Sequence, residues 1–443
     1  MPTGPKNKRK ILIHNLTFRG IEVVPGVLDF DQRGVIFASP GDILITKTPI
    51  EKEYLNYLDN LGWNFKDITF LNPKVNKKFK HNSVFYDNPI ISSLKKLDHF
   101  YLDTYNATFE EHLFAKKIKK LFYGHSLLSE KYGTKSGFRK LAKKLGLKIA
   151  LGYENITDLK SLNEAVESLF SKGIPEIAIK IDEGISGAGT TKLKLSDYKA
   201  KSKPEQSKIL KTALFKIKQA QAESGAAVEE WLQDIIASPS IQVEVFADGT
   251  HKIVSSHDQL LDGDEKWYIG CKHPQESLTQ QEFKQVLKDI DKFAYFLSSK
   301  GFVGFFGIDL VINKNREIYF IEANMRKPGT FYPRIVAEKI NSGSLKDIFY
   351  LACDFTVPYL KGLPFTYLKD IFNDFLYPVR KEKRGIILYN TGALKEAGRF
   401  DIICVGKDPL EPYKIYERVK GRIQKINGRK SSSNIPKKRK QLQ

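Results

Sequence analysis

The stretch "GIDLVINKNREIYFIEANMR", residues 307–326, decides how this chain is read. Two apolar runs flank the polar "NKNRE" of 313–317, so they should pair as an antiparallel hairpin. Asp309 interrupts the first run, and Glu322 and Asn324 end the second. Alternate side chains of a strand share a face, so Glu322, Asn324 and Arg326 should point the same way. The hairpin should bring Asp309 opposite the Glu322/Asn324 end. Two carboxylates and one amide oxygen then converge. These are hard oxygen donors suited to Mg2+, which completes its octahedron with water and phosphate oxygens. Without a cation the two carboxylates would repel. Arg326 can donate several hydrogen bonds to a transferring phosphoryl group. A surface hairpin with incidental charges uses the same letters, but "IDLVI" and "IYFI" argue for burial, and buried acids need partners.

Composition sets the outer limits. The chain has 443 residues, 41% hydrophobic and 28% charged, a globular balance that suggests about two to four domains. No run approaches the ~18 apolar residues of a membrane span. The basic start "MPTGPKNKRK" has no apolar segment behind it, so no secretory signal is expected. Cys271, Cys353 and Cys404 lack metal-ligand or redox spacing, and free thiols fit a reducing, cytoplasmic setting. Of the net charge of +21, four positive charges fall in 1–10 and nine in 420–443, neither of which holds an acid. The body between is only mildly basic, which favours anionic ligands without demanding nucleic acid. "PKKRK" at 436–440 looks like a short nuclear-import signal, but a solvated, disordered basic tail is the plainer reading.

The order of elements is mixed α/β and α+β. "GVIFASPGDILIT" (34–46) reads as strand, Pro-Gly turn, strand; "IEKEYLNYLDNLGW" (50–63) as a helix; "DITFLNP" (67–73) as a strand. "KIALGY" (148–153) reads as a strand, and a helix should start at Asp158 and close at Gly173. "EIAIKI" (176–181) and "TKLKLS" (191–196) flank the Gly-rich "DEGISGAGT" (182–190). A long helix is expected over 281–301, and two strands near the C-terminus, "GIILYN" and "DIICVG", precede a last helix. The expected division is a basic, disordered 1–10, an α/β domain over 11–124, a core over 125–355, a connector over 356–382, a small α+β domain over 383–425 and a basic, disordered 426–443.

Three further segments carry chemistry. Gly184, Gly187 and Gly189 let the backbone approach a ligand, and successive N–H groups can cradle phosphate oxygens. Lys180 points a cation towards the same place. The loop fits neither the Walker nor the Gly-x-Gly-x-x-Gly pattern. Because strand leads to strand, it would lie over phosphates as a flap; a plain glycine hairpin reads it equally well. "AAVEEWL" (226–232) reads as a strand ending at an acid pair, whose backbone could pair with an adenine, with Glu229 or its neighbour's carbonyl accepting from the amino group. Solvated acids at a strand end are the plainer reading. "SSHDQLLDGDEKWYIGCKHP" (255–274) gathers His257, Asp258, Asp262, Asp264, Lys272 and His273 without zinc spacing. It reads as a pocket lining or as a polar loop.

The order of these pieces resembles the ATP-grasp ligases over about residues 125–345. "TKSGFRKLAKKLGLKIALG" resembles the segment whose early lysine reaches the ATP phosphates, here Lys135 or Lys140. "EIAIKIDEGISGAGT" resembles the strand whose lysine, here Lys180, contacts the nucleotide, with the flap at Gly184, Ser186, Gly187 and Gly189. "VEEWL" resembles the adenine hinge, with Glu229, Glu230 and Leu232 in the contacting positions. "GIDLVI" and "IEANMR" resemble the metal set Asp309, Glu322 and Asn324, with Arg326 at the phosphate-binding arginine. More narrowly, "EANMRKPGTFYP", "AVEEWL…SPSIQVEV" and "GIILYNTGALKEAGRFDIICVG" look like the pheganomycin-type peptide ligases, with a domain before the ATP-grasp core and a small one after it. The family carries more glycine after the arginine; Lys327 and Pro328 stand here instead, which bears on the substrate.

The resemblance implies a ligase that uses ATP and Mg2+, with Mn2+ as a substitute. A carboxylate takes the γ-phosphate, leaving ADP, and an amine displaces phosphate from the acylphosphate to form an amide. An amino acid or peptide is the implied substrate, with Lys180 and Arg326 in catalytic positions. Two other readings keep some of these observations: a nucleotide-binding regulator without turnover, and a nucleic-acid-associated protein led by its basic tails. The metal set argues against the first; the body lacks the aromatic-interleaved basic patch the second requires.

Overall fold

The computed structural model describes residues 5, 8–15, 26–74, 80–183, 190–219, 225–262 and 267–428. The flap glycines Gly184, Gly187 and Gly189 with Ser186, the acid Asp264, and the "PKKRK" tail lie outside the described residues.

The first sheet is parallel. Its strands are β1 (Arg9–Ile13), β2 (Ile43–Ile45), β3 (Thr69–Leu71), β4 (Phe100–Thr104) and β5 (Leu121–Phe122). They run in the order β3-β2-β1-β4-β5. Short apolar runs such as "ILI" suit a sheet covered on both faces. The order reverses between β1 and β4, and a crevice opens beyond the carboxyl ends of strands at such a switch point. His14 and Asn15 follow β1 there, and Tyr105 and Asn106 follow β4.

The second sheet is antiparallel and contains β6 (Gly152–Ile156), β7 (Glu176–Ile181), β8 (Thr190–Lys194) and β9 (Ala226–Glu230), in the order β6-β9-β7-β8. The helix Leu159–Ser171 covers it, capped by Asp158 and followed by Gly173 at φ +79°. Its Leu162, Val166 and Leu169 are buried against Ile177, Ile179 and Val228 of the sheet.

The third sheet has nine strands and carries the opening stretch. Its members are β10 (Ile235–Ala237), β11 (Pro239–Val245), β12 (His251–Asp262), β13 (Trp267–His273), β14 (Gly304–Asn313), β15 (Ile318–Asn324), β16 (Phe349–Thr356), β17 (Gly385–Tyr389) and β18 (Arg399–Gly406). The long helix Gln280–Ser299 starts in a capping box between Thr279 and Glu282. Its Val286, Ile290, Phe293 and Leu297 recur at helical spacing and pack on Ile241, Val243 and Ile308.

Several local expectations change. "GVIF" is not a strand: it ends a 3-10 helix, Val27–Phe37. Val35, Ile36 and Phe37 are buried in one core with Phe331 and Tyr332, so burial by packing explains the apolar run without strand pairing. The strand expected at 148–153 begins only at Gly152, because the carbonyls before it are used elsewhere: Lys148 O accepts from Phe320 N at 2.8 Å and Ala150 O from Arg139 Nη2 at 2.9 Å. Most of 255–274 is strand, in β12 and β13, with His257 and Asp258 buried. Strands β17 and β18 continue the third sheet through the β16–β18 ladder. Arg9 and Lys10 begin β1, and Lys10 Nζ pairs with Asp42 at 3.0 Å.

Candidate active site

The β14–β15 hairpin is antiparallel, with Asp309 opposite Glu322 and Gly307 opposite Asn324. A bulge decides this geometry. Leu310 pairs with Phe320, but Asp309 pairs with Glu322, so Ile321 is the extra residue. A bulge of one residue reverses which face the following side chains take. Phe320 therefore reaches the core beside Leu310, while Glu322 and Asn324 join Asp309 on the opposite face. Met325 returns to the core, leaving Arg326 on the side of the acids.

Asn324 Nδ2 donates to Asp309 Oδ2 at 2.8 Å and lies 3.4 Å from Glu322 Oε1. Ser240, opposite Asp309 on β11, donates from Oγ to Asp309 Oδ1 at 2.6 Å. Gln242 Nε2 donates to Ser240 Oγ at 2.9 Å, and Gln242 Oε1 lies 3.0 Å from His257 Nδ1. His257 Nε2 in turn meets Tyr350 Oη at 2.5 Å. A hydrogen-bonded row thus crosses the sheet and fixes the Asp309 rotamer from behind. Burial raises the pKa of Asp309 against the hydrogen bonds from Ser240 and Gln259 and the charges of Arg326 and Lys135.

The helix Lys135–Lys144 begins at the same place. Thr134 caps it by accepting from Gly137 N at 3.0 Å, and Asp182 Oδ1 accepts from Ser136 N at 2.7 Å. Lys135 Nζ pairs with Glu322 Oε2. Burial, reinforced by the cations of Lys180 and Arg326, lowers the Lys135 pKa to about 8. Lys140 is exposed on the helix, so the structure distinguishes the two lysines.

Lys180, Glu229 and Arg139 form a second cluster on the four-stranded sheet. Glu229 Oε1 meets Lys180 Nζ at 2.5 Å, and its other oxygen meets Arg139 Nη1. Burial works against ionising Glu229, but the two cations outweigh it and hold its pKa below the usual range. The Glu229 carboxylate is therefore engaged by two cations. Glu230 and Leu232 are half-buried, and Glu230 N donates to Leu151 O at 2.8 Å. Between them the Trp231 ring lies under Lys180 at 5.8 Å and Lys192 at 4.8 Å.

Sequence reasoning missed Arg139, Ser240, Tyr105 and Arg33. Burial raises the Tyr105 pKa, but the charges and hydrogen bonds of Arg326 and Arg33 outweigh it and lower the value. Tyr105 therefore links the arginine that follows the β14–β15 hairpin to one in the N-terminal segment. One signal was readable for Ser240: in "SIQVEV" apolar residues alternate with polar ones, and the polar face, Ser240, Gln242 and Glu244, is buried as well. Such a face needs a polar partner. The other three have decisive partners far along the chain, as Arg139 has in Glu229 and Arg33 has in Tyr105.

The donor set fits a hard divalent cation. Both carboxylates lie within reach of one amide, Asn324, whose Nδ2 is 2.8 Å from Asp309 Oδ2 and 3.4 Å from Glu322 Oε1, and the ammonium of Lys135 pairs with Glu322. Among the described residues no group of three or more His, Cys, Asp or Glu is placed to hold a metal ion, so the set here rests on two acids and an amide. A site with two acids suits Mg2+, which takes few protein ligands and shares the rest with phosphate.

A family model described as an ATP-grasp domain matches residues 189–330, the span that includes β9, the third-sheet hairpin and Arg326. This chain carries an ATP-grasp domain. A curated relative, the L-propargylglycine–L-glutamate ligase of Streptantibioticus cattleyicolor, is 23% identical over 300 residues, covering 63% of this chain and 61% of that protein. The chain thus spans less than two thirds of the length of that relative. The biotin carboxylase of Campylobacter jejuni, solved with β,γ-ATP, superposes with a TM-score of 0.60 at 14% identity, over 91% of this chain and 89% of that one. An N5-carboxyaminoimidazole ribonucleotide synthetase solved with ADP gives 0.59 at 13% identity, over 95% and 98%. These likenesses establish the ATP-grasp fold, with its mixed α/β layers. Among the described residues no helix is long and apolar enough to cross a membrane.

Proposed function

We propose that the chain is an ATP-dependent carboxylate–amine ligase that forms an amide and releases ADP and phosphate. The observation that carries this reading is the convergence of Asp309, Glu322, Asn324, Lys135 and Arg326 on one face. Phosphoryl transfer asks mainly for positioning and charge neutralisation, and this face has both signs of charge in place. Asp309, Glu322 and the Asn324 amide would hold Mg2+, which would supply charge neutralisation for the ATP phosphates. Lys135 and Lys180 neutralise phosphate oxygens. Arg326 holds the phosphoryl group as a substrate carboxylate attacks it. The backbone of Glu230–Leu232 takes the adenine edge, since the Glu229 carboxylate serves Lys180 and Arg139. The flap around Gly184, Ser186, Gly187 and Gly189 is assigned to excluding water, which would hydrolyse the acylphosphate.

The ligase named above joins two amino acids by its name, and an amino acid or peptide is the substrate class proposed here. We place the protein in the cytoplasm, where its buried Cys271, Cys353 and Cys404 would stay reduced. The test is ADP release from ATP and Mg2+ across pairs of the twenty L-amino acids. Release that requires both a carboxylate and an amine supports the reading. Release of AMP, or turnover indifferent to every amine, overturns it.

A further inference from the structure

A second polar cluster lies on β16 and β18 of the third sheet. Asp354 of β16 and Asp401 of β18 are register partners, so they share a face of the sheet. Like charges placed directly opposite in a ladder repel. Arg399 Nη2 pairs with Asp354 Oδ2 at 2.9 Å, one guanidinium for two acids. Asn390, at φ +49°, donates from Nδ2 to Asp401 Oδ2 at 2.7 Å. Among the described residues the buried Asp401 Oδ1 and Asn390 Oδ1 have no hydrogen-bond partner. The cluster opens to solvent at the Asp354 side chain, which is 28% exposed.

Arg33 is an independent observation. It is 7% exposed, and its Nε and Nη2 have no hydrogen-bond partner among the described residues. A buried guanidinium with two open donors is costly unless a ligand completes it. Its carbon lies 3.8 Å from the centre of the Tyr105 ring and 4.6 Å from that of Tyr332. On one side it shares the Phe30 ring with Arg399, the two guanidinium carbons lying 5.9 Å and 4.9 Å from that ring's centre. On the other, the Tyr105 hydroxyl joins it to Arg326. Tyr268, on β13 next to β16, has its hydroxyl where it would lie 3.2 Å from a Cβ added at Gly329. Through Phe30 and Arg399 on one side and Tyr105 on the other, Arg33 thus connects the acid pair with Arg326. The cluster also adjoins the switch point of the parallel sheet, where Tyr105 follows β4.

We propose, resting on the ligase reading, that this cluster receives the amine substrate as a zwitterionic amino acid, with its ammonium on Asp354 and Asp401 and its carboxylate on Arg33. The occupant answers both open charges at once. Its ammonium separates the two acids, and its carboxylate completes the guanidinium. The ammonium must lose one proton before its nitrogen can attack, and a carboxylate of the pair accepts it. Burial and the neighbouring Asp354 raise the Asp401 pKa, which suits it to that transfer. The neutral amine then forms the C–N bond at the acyl carbon. The C–O bond to phosphate breaks, and the second N–H proton leaves with the phosphate.

The test uses the full chain, ATP, Mg2+ and the amino-acid pair that best supports ADP release. Asp401→Asn and Arg33→Gln should each raise KM for the amine by about 10–100-fold, the range for a lost charged hydrogen bond, while KM for ATP stays within about twofold. Arg33→Gln should also move the preference from the free amino acid towards its carboxamide, which a merely destabilised protein would not do. An unchanged amine KM in both variants, with ADP release still amine-dependent, overturns this site and leaves the ligase reading intact. No amine-dependent release from the unmodified chain overturns both.

Discussion

Asp309 and Glu322 face each other across the β14–β15 ladder, with the Asn324 amide donating to Asp309 at 2.8 Å. That relationship makes the first prediction direct. Asp309→Asn and Glu322→Gln keep the shape and remove the charge. Each should lower kcat for ADP release by about 10²–10³-fold, the cost of losing one preorganised electrostatic partner. Titration of activity with Mg2+ should show the half-saturating concentration rising in both. Activity kept at ordinary Mg2+ in Glu322→Gln would remove the metal assignment.

Glu229 divides its two oxygens between Lys180 and Arg139. Glu229→Gln should therefore weaken ATP binding by about tenfold through a displaced Lys180, as expected for a broken charge-assisted bond. The preference for ATP over GTP should not change, because both carboxylate oxygens are engaged by Lys180 and Arg139. Calorimetric binding of both nucleotides measures this. A selective loss of ATP against GTP would restore Glu229 to the adenine.

The Tyr105 hydroxyl is shared by Arg326 and Arg33. Tyr105→Phe should reduce kcat by roughly tenfold, one hydrogen bond to a charged group, and leave the KM for ATP unchanged. Steady-state kinetics at saturating amine separates the two. A rise in the ATP KM alone would place Tyr105 in nucleotide binding instead.

Lys327 ties the N-terminal sheet to the segment after the β14–β15 hairpin. Its Nζ meets Asp103 Oδ1 at 2.5 Å and Thr104 O at 2.6 Å, and it is 3% exposed. Removing one partner of a buried pair costs about 3–5 kcal/mol, so Lys327→Met should lower the urea midpoint strongly. An unchanged midpoint would mean that the pair adds no net stability.

His14, 3.5 Å from Asp103 and 2.8 Å from Tyr332 Oη, provides a pH test. Burial lowers its pKa to about 4 from 6.5. Between those values the unfolded chain binds the proton and the folded one does not, so this contribution is present above about pH 6.5 and lost as pH falls towards 4. Asp31 acts oppositely: burial raises its pKa to about 7, so its contribution is greatest at low pH and is lost as pH rises through that value. The two would partly cancel in one unfolding curve. The difference between the unmodified protein and His14→Gln isolates the first. It should shrink on acidification from pH 6.5 to 4; a difference independent of pH would refute the assignment.

The sequence by itself determined the parts of the site that lie within one hairpin or one helix. "IEAN" and "IDLVI" placed Asp309, Glu322 and Asn324 together because a hairpin makes distant positions local. "TKSGF" placed Lys135 at a helix start, where Thr134 is a good cap. Tertiary structure decided the rest. Alternation alone would put Glu322 on the face of Phe320, in the core, and only the bulge at Ile321 separates them. No local pattern joins Glu229 to Arg139, Lys327 to Asp103, or Arg33 to Tyr105. Those pairs form because a buried charge must find its partner wherever packing brings one, and packing is set by surfaces that meet only after the chain has folded.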